Sequence, residues 1–280
     1  MGKISLRPRS LTTGGAAYGE QVSQERRSSL ASSFGAAAQA YARHRPDYAR
    51  AALDWALAPA PGRRVLDLGA GTGKLTAGLV AAGADVVAVE PDPAMLAELR
   101  RAVPAVLSFA GGAEAIPLPD SSVDAVVAGN ALHWFDMDIA GPEIARVLAP
   151  RGVLAGLWNV LDDRLEWIAG LEGVSGSAAI GPRDTLRNWR AATADLYLPR
   201  GGGDPCFGSP EQAEFPHGQR RTAGSLVATL ATRAGMLRMP ARDREATLRR
   251  IRDYLLVRPE TACGEFTLPM LTGVLRVRRV

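Results

Sequence analysis

Val65-Leu66-Asp67-Leu68-Gly69-Ala70-Gly71-Thr72-Gly73 is the stretch on which the reading of the fold turns. Four mostly apolar residues, Val65 to Leu68, fit a strand of a buried parallel sheet. Three glycines then break the strand before a helical pattern starts near Lys74. A glycine lacks the Cβ that would block close approach, so such a turn lets backbone meet a ligand. The helix that follows offers free N–H groups and the positive end of its dipole. The stretch therefore predicts the start of a mononucleotide-binding half.

Working outward, Leu75, Leu79 and Val80 mark a helix ended by Gly83, and Asp85-Val86-Val87-Ala88-Val89-Glu90 is the next strand. Pro91-Asp92-Pro93 opens a helix carrying Met95, Leu96 and Leu99. Further strands are predicted at 105–109, 123–128 and 153–158, with a polar-aromatic turn over 130–136 and a helix over 141–148. Upstream, helices over 31–45 and 48–57 are separated at Arg45-Pro46, because proline disfavours helix at the residue before it. Strands alternating with helices predict an α/β fold, a parallel sheet with helices on both faces and right-handed crossovers. From residue 160 the alternation fails. Helices are expected at 163–171, 185–196, 222–234 and 242–256, forming a cap over the carboxyl ends of the strands. Strand-like runs at 213–221 and 273–280 are expected to close the far edge, and Gly201-Gly202-Gly203 reads as an exposed loop.

The 280 residues are 47% hydrophobic, enough for one large core. The reading is a single domain over 31–280, with 31–60 as N-terminal helices, 61–160 as the cofactor-binding core and 160–280 as cap and edge strands. Residues 1–30, rich in Ser, Gly, Arg and Gln, read as a flexible tail. No run of about 18 apolar residues occurs, so no membrane span is expected, and a cytoplasmic location is the default. The formal charge of +4 invites a nucleic-acid reading, but the positive charge is almost all Arg and scattered, with Lys3 and Lys74 the only lysines. No nucleic-acid partner is expected, and the assembly is read as monomer or homodimer. Cys206, Cys263 and the three histidines lack metal-binding spacing, so no metal is expected.

Three ligands compete for the glycine turn. A phosphate loop needs G-x-x-x-x-G-K-[ST], but Leu68 stands at the first glycine and Leu75 at the hydroxyl position. A dinucleotide fingerprint needs G-x-G-x-x-G, and the spacing here is G-x-G-x-G with Lys74 at the third position. S-adenosylmethionine needs close backbone approach without an anion cradle, plus an acceptor for two ribose hydroxyls. Glu90, at the end of the second strand, supplies that carboxylate where doubly wound geometry places it. The alternative is a solvated strand end.

The glycine turn, then Val89-Glu90-Pro91, then Gly112-Ala113-Glu114-Ala115-Ile116-Pro117-Leu118-Pro119-Asp120, together resemble class I S-adenosylmethionine-dependent methyltransferases. Ala38-x-x-Tyr41-x-x-x-Arg45-Pro46-x-Tyr48, Ala131-Leu132-His133-Trp134-Phe135-Asp136 and Leu157-Trp158-Asn159, with Asp162-Asp163 and Trp167, are similar to the small-molecule group that includes trans-aconitate methyltransferases. The resemblance spans about residues 34–280. It implies a doubly wound, Rossmann-like, seven-stranded and mostly parallel sheet with an antiparallel edge strand and helical cap insertions. It also implies that Asp67 orients the loop or meets the methionine amino group, and that Gly69, Ala70, Gly71 and Gly73 admit the methionine and ribose. Glu90 and Pro91 would flank the ribose, Ala113 and Glu114 the adenine, and Asn130 the methyl end. Tyr41 and Arg45 would cover the cofactor.

Transfer from a sulfonium is an in-line displacement at an activated carbon, and aligning the reactants can supply roughly 7–11 kcal/mol. A base is needed only for a protonated acceptor. His133 is the candidate base, against a reading as pocket wall. Trp134, Phe135, Trp158 and Asn159 are the candidate acceptor pocket. The expected reaction is methylation of a small-molecule acceptor, at an oxygen such as a carboxylate or hydroxyl, with S-adenosylhomocysteine as product. An acyl-carrier-bound or quinone-type acceptor, and a catalytically silent cofactor-binding regulator, are the alternatives.

Overall fold

The computed structural model describes residues 38–194, 200–201 and 204–280. The tail over 1–30, the side chain of Tyr41, and Gly202 and Gly203 lie outside the described part. Helices α1 (Ala38–His44) and α2 (Arg50–Leu57) precede the core. Then come β1 (Arg64–Leu68), α3 (Lys74–Ala81), β2 (Asp85–Glu90), α4 (Pro93–Ala102), β3 (Leu107–Ala110) and β4 (Val123–Gly129). A 3-10 turn (Leu132–Trp134) leads into α5 (Met137–Val147) and β5 (Leu148–Leu161). The cap begins with α6 (Glu166–Ser175) and α7 (Trp189–Ala194). It continues through β6 (Glu211–Thr222), α8 (Ala223–Ala231), α9 (Ala234–Arg238), α10 (Ala241–Leu256) and β7 (Glu265–Arg278).

The seven strands form one sheet in the order β3-β2-β1-β4-β5-β7-β6. The first five are mutually parallel. Strand β7 runs antiparallel to both β5 and β6, so the reversed strand lies one in from the edge. The chain leaves β1 towards β2 and β3, then returns to β4 on the other side of β1. That reversal opens a crevice at the carboxyl ends of β1 and β4, the place where open α/β sheets hold ligands.

Alternation along the strands divides the core into two layers. Val65, Ala125, Val127, Val153, Ala155 and Leu157 face α2 and α3. Leu66, Leu68, Val126, Ala128, Leu154 and Trp158 face α5 and α7. Each fully buried leucine contributes about 1.5–3 kcal/mol from removal of apolar surface. A third cluster, with Trp167, Leu171, Leu230, Met236 and Ile251 among its members, gives the cap its own core.

Several element boundaries differ from expectation, the last strand most, since it starts at Glu265 and not at Gly273. Helix α5 starts at Met137, not near Gly141, with Pro142 inside it. Met137 and Ala140 are buried there, so packing sets the start and outweighs the proline signal. Strand β5 extends from Leu148 to Leu161 because β7 pairs along it as far as Leu161.

Candidate active site

The glycine turn after β1 is built by backbone demand. Gly69, Gly71 and Gly73 all have positive φ. At Gly71 a Cβ would have no heavy atom within 4 Å, because that side of the backbone opens into a cavity. Gly73 has a different role. It does not line the cavity; it caps α3 at φ 84° and lies against Leu99 of α4. Its neighbours Gly69, Ala70 and Gly71 do line the cavity.

Glu90 ends β2 and is 6% exposed. Its two oxygens accept from the Gly71 N–H at 2.8 Å and the Asp92 N–H at 2.9 Å. Each oxygen keeps a further lone pair for another donor. Burial raises its pKa, and the two backbone bonds partly offset that. Asp92 also caps α4, accepting from Ala94 and Met95, a contribution of about 1 kcal/mol.

Asp67 is fully buried and accepts from Thr76 Oγ1 at 2.6 Å. Its Oδ1 and the Thr72 hydroxyl have no partner among the described residues. Burial above all, with the nearby Glu90 charge adding to it, pushes the Asp67 carboxyl up to about 7. The folded protein thus binds a proton that the unfolded chain releases at lower pH, so this group favours the fold at low pH. That contribution is lost as pH rises through about 7. Between pH 5 and 8 the slope approaches about 1.4 kcal/mol per pH unit at most. Asp67→Asn is expected to lack it: its melting temperature should rise relative to wild type as pH increases. A parallel pH dependence in both proteins would contradict this.

Asn130 follows β4 in the left-handed region, at φ 51°, which Asn tolerates better than most residues. Its Nδ2 donates to the Tyr48 hydroxyl at 2.9 Å. Ala113 is buried and Glu114 exposed beside it, and Glu114 accepts from the Asp136 N–H at 3.0 Å. Gly69, Ala70, Gly71, Glu90, Pro91, Ala113, Glu114 and Asn130 therefore share one cavity of about 840 Å³. Arg45 and Asp67 also line it. Arg45 enters from the segment after α1, with its guanidinium donating to the Thr232 carbonyl at 3.4 Å.

The cavity continues past the strand ends into the cap. His133, Trp134, Phe135 and Trp158 line it, as do Arg183, Asp184, Arg233 and Arg238. Trp158 is 1% exposed and packs against Trp189 at 6.2 Å between centroids, so it serves the core as well as the wall. Its indole N–H points to His133 Nδ1 at 3.4 Å. That donor leaves the proton of a neutral imidazole on Nε2. Burial first, then the charges of Arg183 and Arg45, lower the His133 pKa to about 3.

Asn159 is not in the pocket. One residue along β5 from Trp158, it points to the opposite face, as the pleat requires. Its Nδ2 donates to the Asp47 carbonyl at 3.0 Å, and its Oδ1 accepts from the Thr272 hydroxyl at 3.0 Å. His217, whose pKa burial lowers, joins that same cluster. Residues that sequence reasoning did not assign to the site are Tyr48, Thr72, Arg183, Asp184, Arg233 and Arg238. Tyr48 stood within a recognised motif; the cap residues lie on connections without local pattern.

The arrangement fits S-adenosylmethionine. Open space at Gly71 suits its methionine and ribose, and unpartnered Asp67 Oδ1 and Thr72 Oγ1 await polar groups. The spare capacity of Glu90 matches two vicinal hydroxyls. No group of three metal-ligating side chains occurs among the described residues, and no described helix is long and apolar enough to cross a membrane.

Comparison with known proteins agrees. Residues 66–156 match the family described as methyltransferase domain. An uncharacterized methyltransferase of Mycobacterium tuberculosis is 42% identical over 251 residues, covering 89% of this chain and 97% of that protein. An uncharacterized methyltransferase-like protein of Schizosaccharomyces pombe is 34% identical over 183 residues, 65% of this chain and 68% of its own. A solved structure from Anaeromyxobacter dehalogenans, described as a type II methyltransferase, superposes with a TM-score of 0.58 at 26% identity. It covers 84% of this chain and 97% of its own. With the glycine turn, the carboxylate after β2 and the 3-2-1-4-5-7-6 sheet in place, the chain belongs to the class I S-adenosylmethionine-dependent methyltransferases.

Proposed function

We propose that this enzyme methylates a carboxylate oxygen of a small organic acid, with S-adenosylmethionine bound at the β1 and β2 ends. The observation that carries the reading is the polarity of this cavity. Its core half is acidic on balance, with Asp67, Glu90, Asp92, Glu114 and Asp136 against Lys74. Its cap half is basic, with Arg45, Arg183, Arg233 and Arg238 against Asp184. Asp184 is already occupied, accepting from Arg233 Nη1 at 2.6 Å and from the Gly181 N–H at 2.9 Å. Arg183 makes no ion pair among the described residues. An anion entering beneath the cap therefore meets net positive charge, with Arg183 and Arg238 exposed and Arg45 and Arg233 partly buried.

S-adenosylmethionine supplies a methyl group already activated on a sulfonium. Glu90 holds the ribose, and the glycine turn brings backbone against the methionine portion. Trp134, Phe135 and Trp158 exclude water, and the cap arginines orient the acid. An ionised carboxylate brings no proton to remove, so no base is required. His133, neutral and with Nδ1 facing the Trp158 N–H, acts as wall and as an Nε2–H donor.

His133→Gln is accordingly expected to keep turnover within about tenfold on an acid acceptor, with a flat kcat profile between pH 6 and 8. A loss in the 10²–10⁴ range typical of a missing general base would contradict this role. Calorimetry with S-adenosylhomocysteine and with NAD tests the cofactor half of the proposal. Binding of the first and not the second is expected; the reverse would overturn it. A protein that binds S-adenosylhomocysteine yet transfers methyl to no acceptor would favour the regulatory alternative.

A further inference from the structure

Segment 44–48, running from the end of α1 towards α2, carries Arg45 and Tyr48 into the cavity wall. It is fastened on two sides. Towards the cap, the His44 carbonyl accepts from Arg221 Nη2 and from the Thr229 hydroxyl, both at 2.9 Å. Towards the sheet, Asp47 pairs with Lys74 at 3.1 Å, and the Tyr48 hydroxyl meets Asn130. The fit at Tyr48 is close. A Cβ on Gly129 would lie 2.5 Å from the Tyr48 hydroxyl, so only glycine at the end of β4 admits the ring there.

Beneath this segment lies a buried polar cluster that the transfer reaction does not use. Asn159 on β5 is 2% exposed and Thr272 on β7 is fully buried. The Asn159 amide nitrogen faces two carbonyls, Asp47 at 3.0 Å and Pro46 at 3.4 Å. Its oxygen accepts from the Thr272 hydroxyl at 3.0 Å and lies 3.2 Å from His217 Nε2. The Thr272 hydroxyl in turn accepts from the Ala49 N–H at 3.0 Å. Both Asn159 nitrogen contacts are to the chain on either side of the Pro46–Asp47 peptide, immediately before Tyr48. A buried polar group is costly unless satisfied, so a cluster with its groups paired is specific about position.

We propose that Asn159 is a positioning residue for the cofactor site: it acts through the Pro46 and Asp47 carbonyls to set Tyr48 against Asn130 and Arg45 in the cavity wall. The proposal rests on the cofactor reading given above. Asn159→Asp keeps the shape but turns an acceptor oxygen towards the two carbonyls, which pushes segment 44–48 off the sheet. The full chain is compared with its variants by calorimetry with S-adenosylhomocysteine, with melting temperature as the check on folding. Asn159→Asp is expected to raise Kd about tenfold, the loss of one or two well-placed hydrogen bonds.

A double-variant cycle separates positioning from general loosening. If Asn159 acts through Tyr48, then Tyr48→Phe lowers affinity in the wild-type background and does little in the Asn159→Asp background. Multiplied losses in the double variant would overturn the proposal. Thr272→Val and Thr272→Ser give a second route if Asn159→Asp fails to fold. The valine variant is expected to weaken binding, and the serine variant, which keeps the hydroxyl, to restore it to within about twofold. Equal binding by wild type, Asn159→Asp and Thr272→Val overturns this proposal alone. No binding by wild type overturns the cofactor reading with it.

Discussion

Glu90→Ala is expected to weaken S-adenosylhomocysteine binding by about a hundredfold or more, the largest effect of any single change on the cofactor side. Two consequences add. The ribose loses a carboxylate acceptor, and hydrogen bonds to a charged group are worth about 1.5–3 kcal/mol each. The glycine turn also loses its anchor, because Gly71 N–H and Asp92 N–H both donate to this side chain. Glu90→Gln separates the two. It keeps one oxygen acceptor but must present an NH₂ towards a backbone donor or the ribose, so an intermediate loss is expected. Since burial raises the Glu90 pKa, binding by wild type should also weaken as pH falls into the upper carboxylate range. Titration calorimetry at two pH values measures all three. Undiminished binding by Glu90→Ala would remove the carboxylate from the site.

Arg183→Glu is expected to have the largest effect on the acceptor side. Arg183 lines the same cavity as His133, from an exposed position on the cap side. Reversing its charge should raise KM for an acid acceptor by about 5- to 10-fold, the effect of replacing an attraction by a repulsion at an exposed, solvent-screened side chain. Binding of S-adenosylhomocysteine should change little, because the Arg183 side enters from the cap. Arg183→Lys should recover part of the loss, since an ammonium keeps the charge but not the bidentate geometry. Raising ionic strength should increase KM for wild type and not for Arg183→Glu. An unchanged KM in Arg183→Glu would contradict an acid acceptor.

The two sides of the cavity were not equally legible in the sequence, and the reason is physical. The cofactor half is written locally. Gly69 and Gly71 both answer to positive backbone angles, Gly69 also to close packing against Ala131 and Gly71 to open space, and Glu90 sits at a strand end whose distance from the turn follows from the crossover. Such requirements leave a fixed spacing in the chain. Gly73 shows the limit of such spacing, because a glycine that caps a helix against Leu99 has the same letter as one that lines the cavity.

The acceptor half is assembled by tertiary packing. Arg183 lies on a 3-10 turn before α7, Arg233 is the N-cap of α9 and Arg238 is its last residue. No periodicity ties these positions together; the cap core around Trp167, Leu230 and Met236 does. Asn159 shows the opposite failure. Its neighbour Trp158 does line the cavity, but the two-residue period of β5 sends Asn159 through to the other face. Only the phase of the strand relative to the sheet could have revealed that, and the phase is fixed by Leu154 and Trp158 packing under α5 and α7. The same period accounts for the cluster with Thr272 on the neighbouring β7 and His217 on β6 beyond it.

The central claim is that a carboxylate oxygen receives the methyl group. Incubating the enzyme with methyl-labelled S-adenosylmethionine and a panel of small organic acids, phenols and amines, then treating the products with alkali, tests it directly. Methyl esters release labelled methanol under those conditions, whereas aryl ethers and methylamines hold their label. The account predicts volatile, base-released label with the acids; label that stays fixed in a phenol or amine product would contradict it.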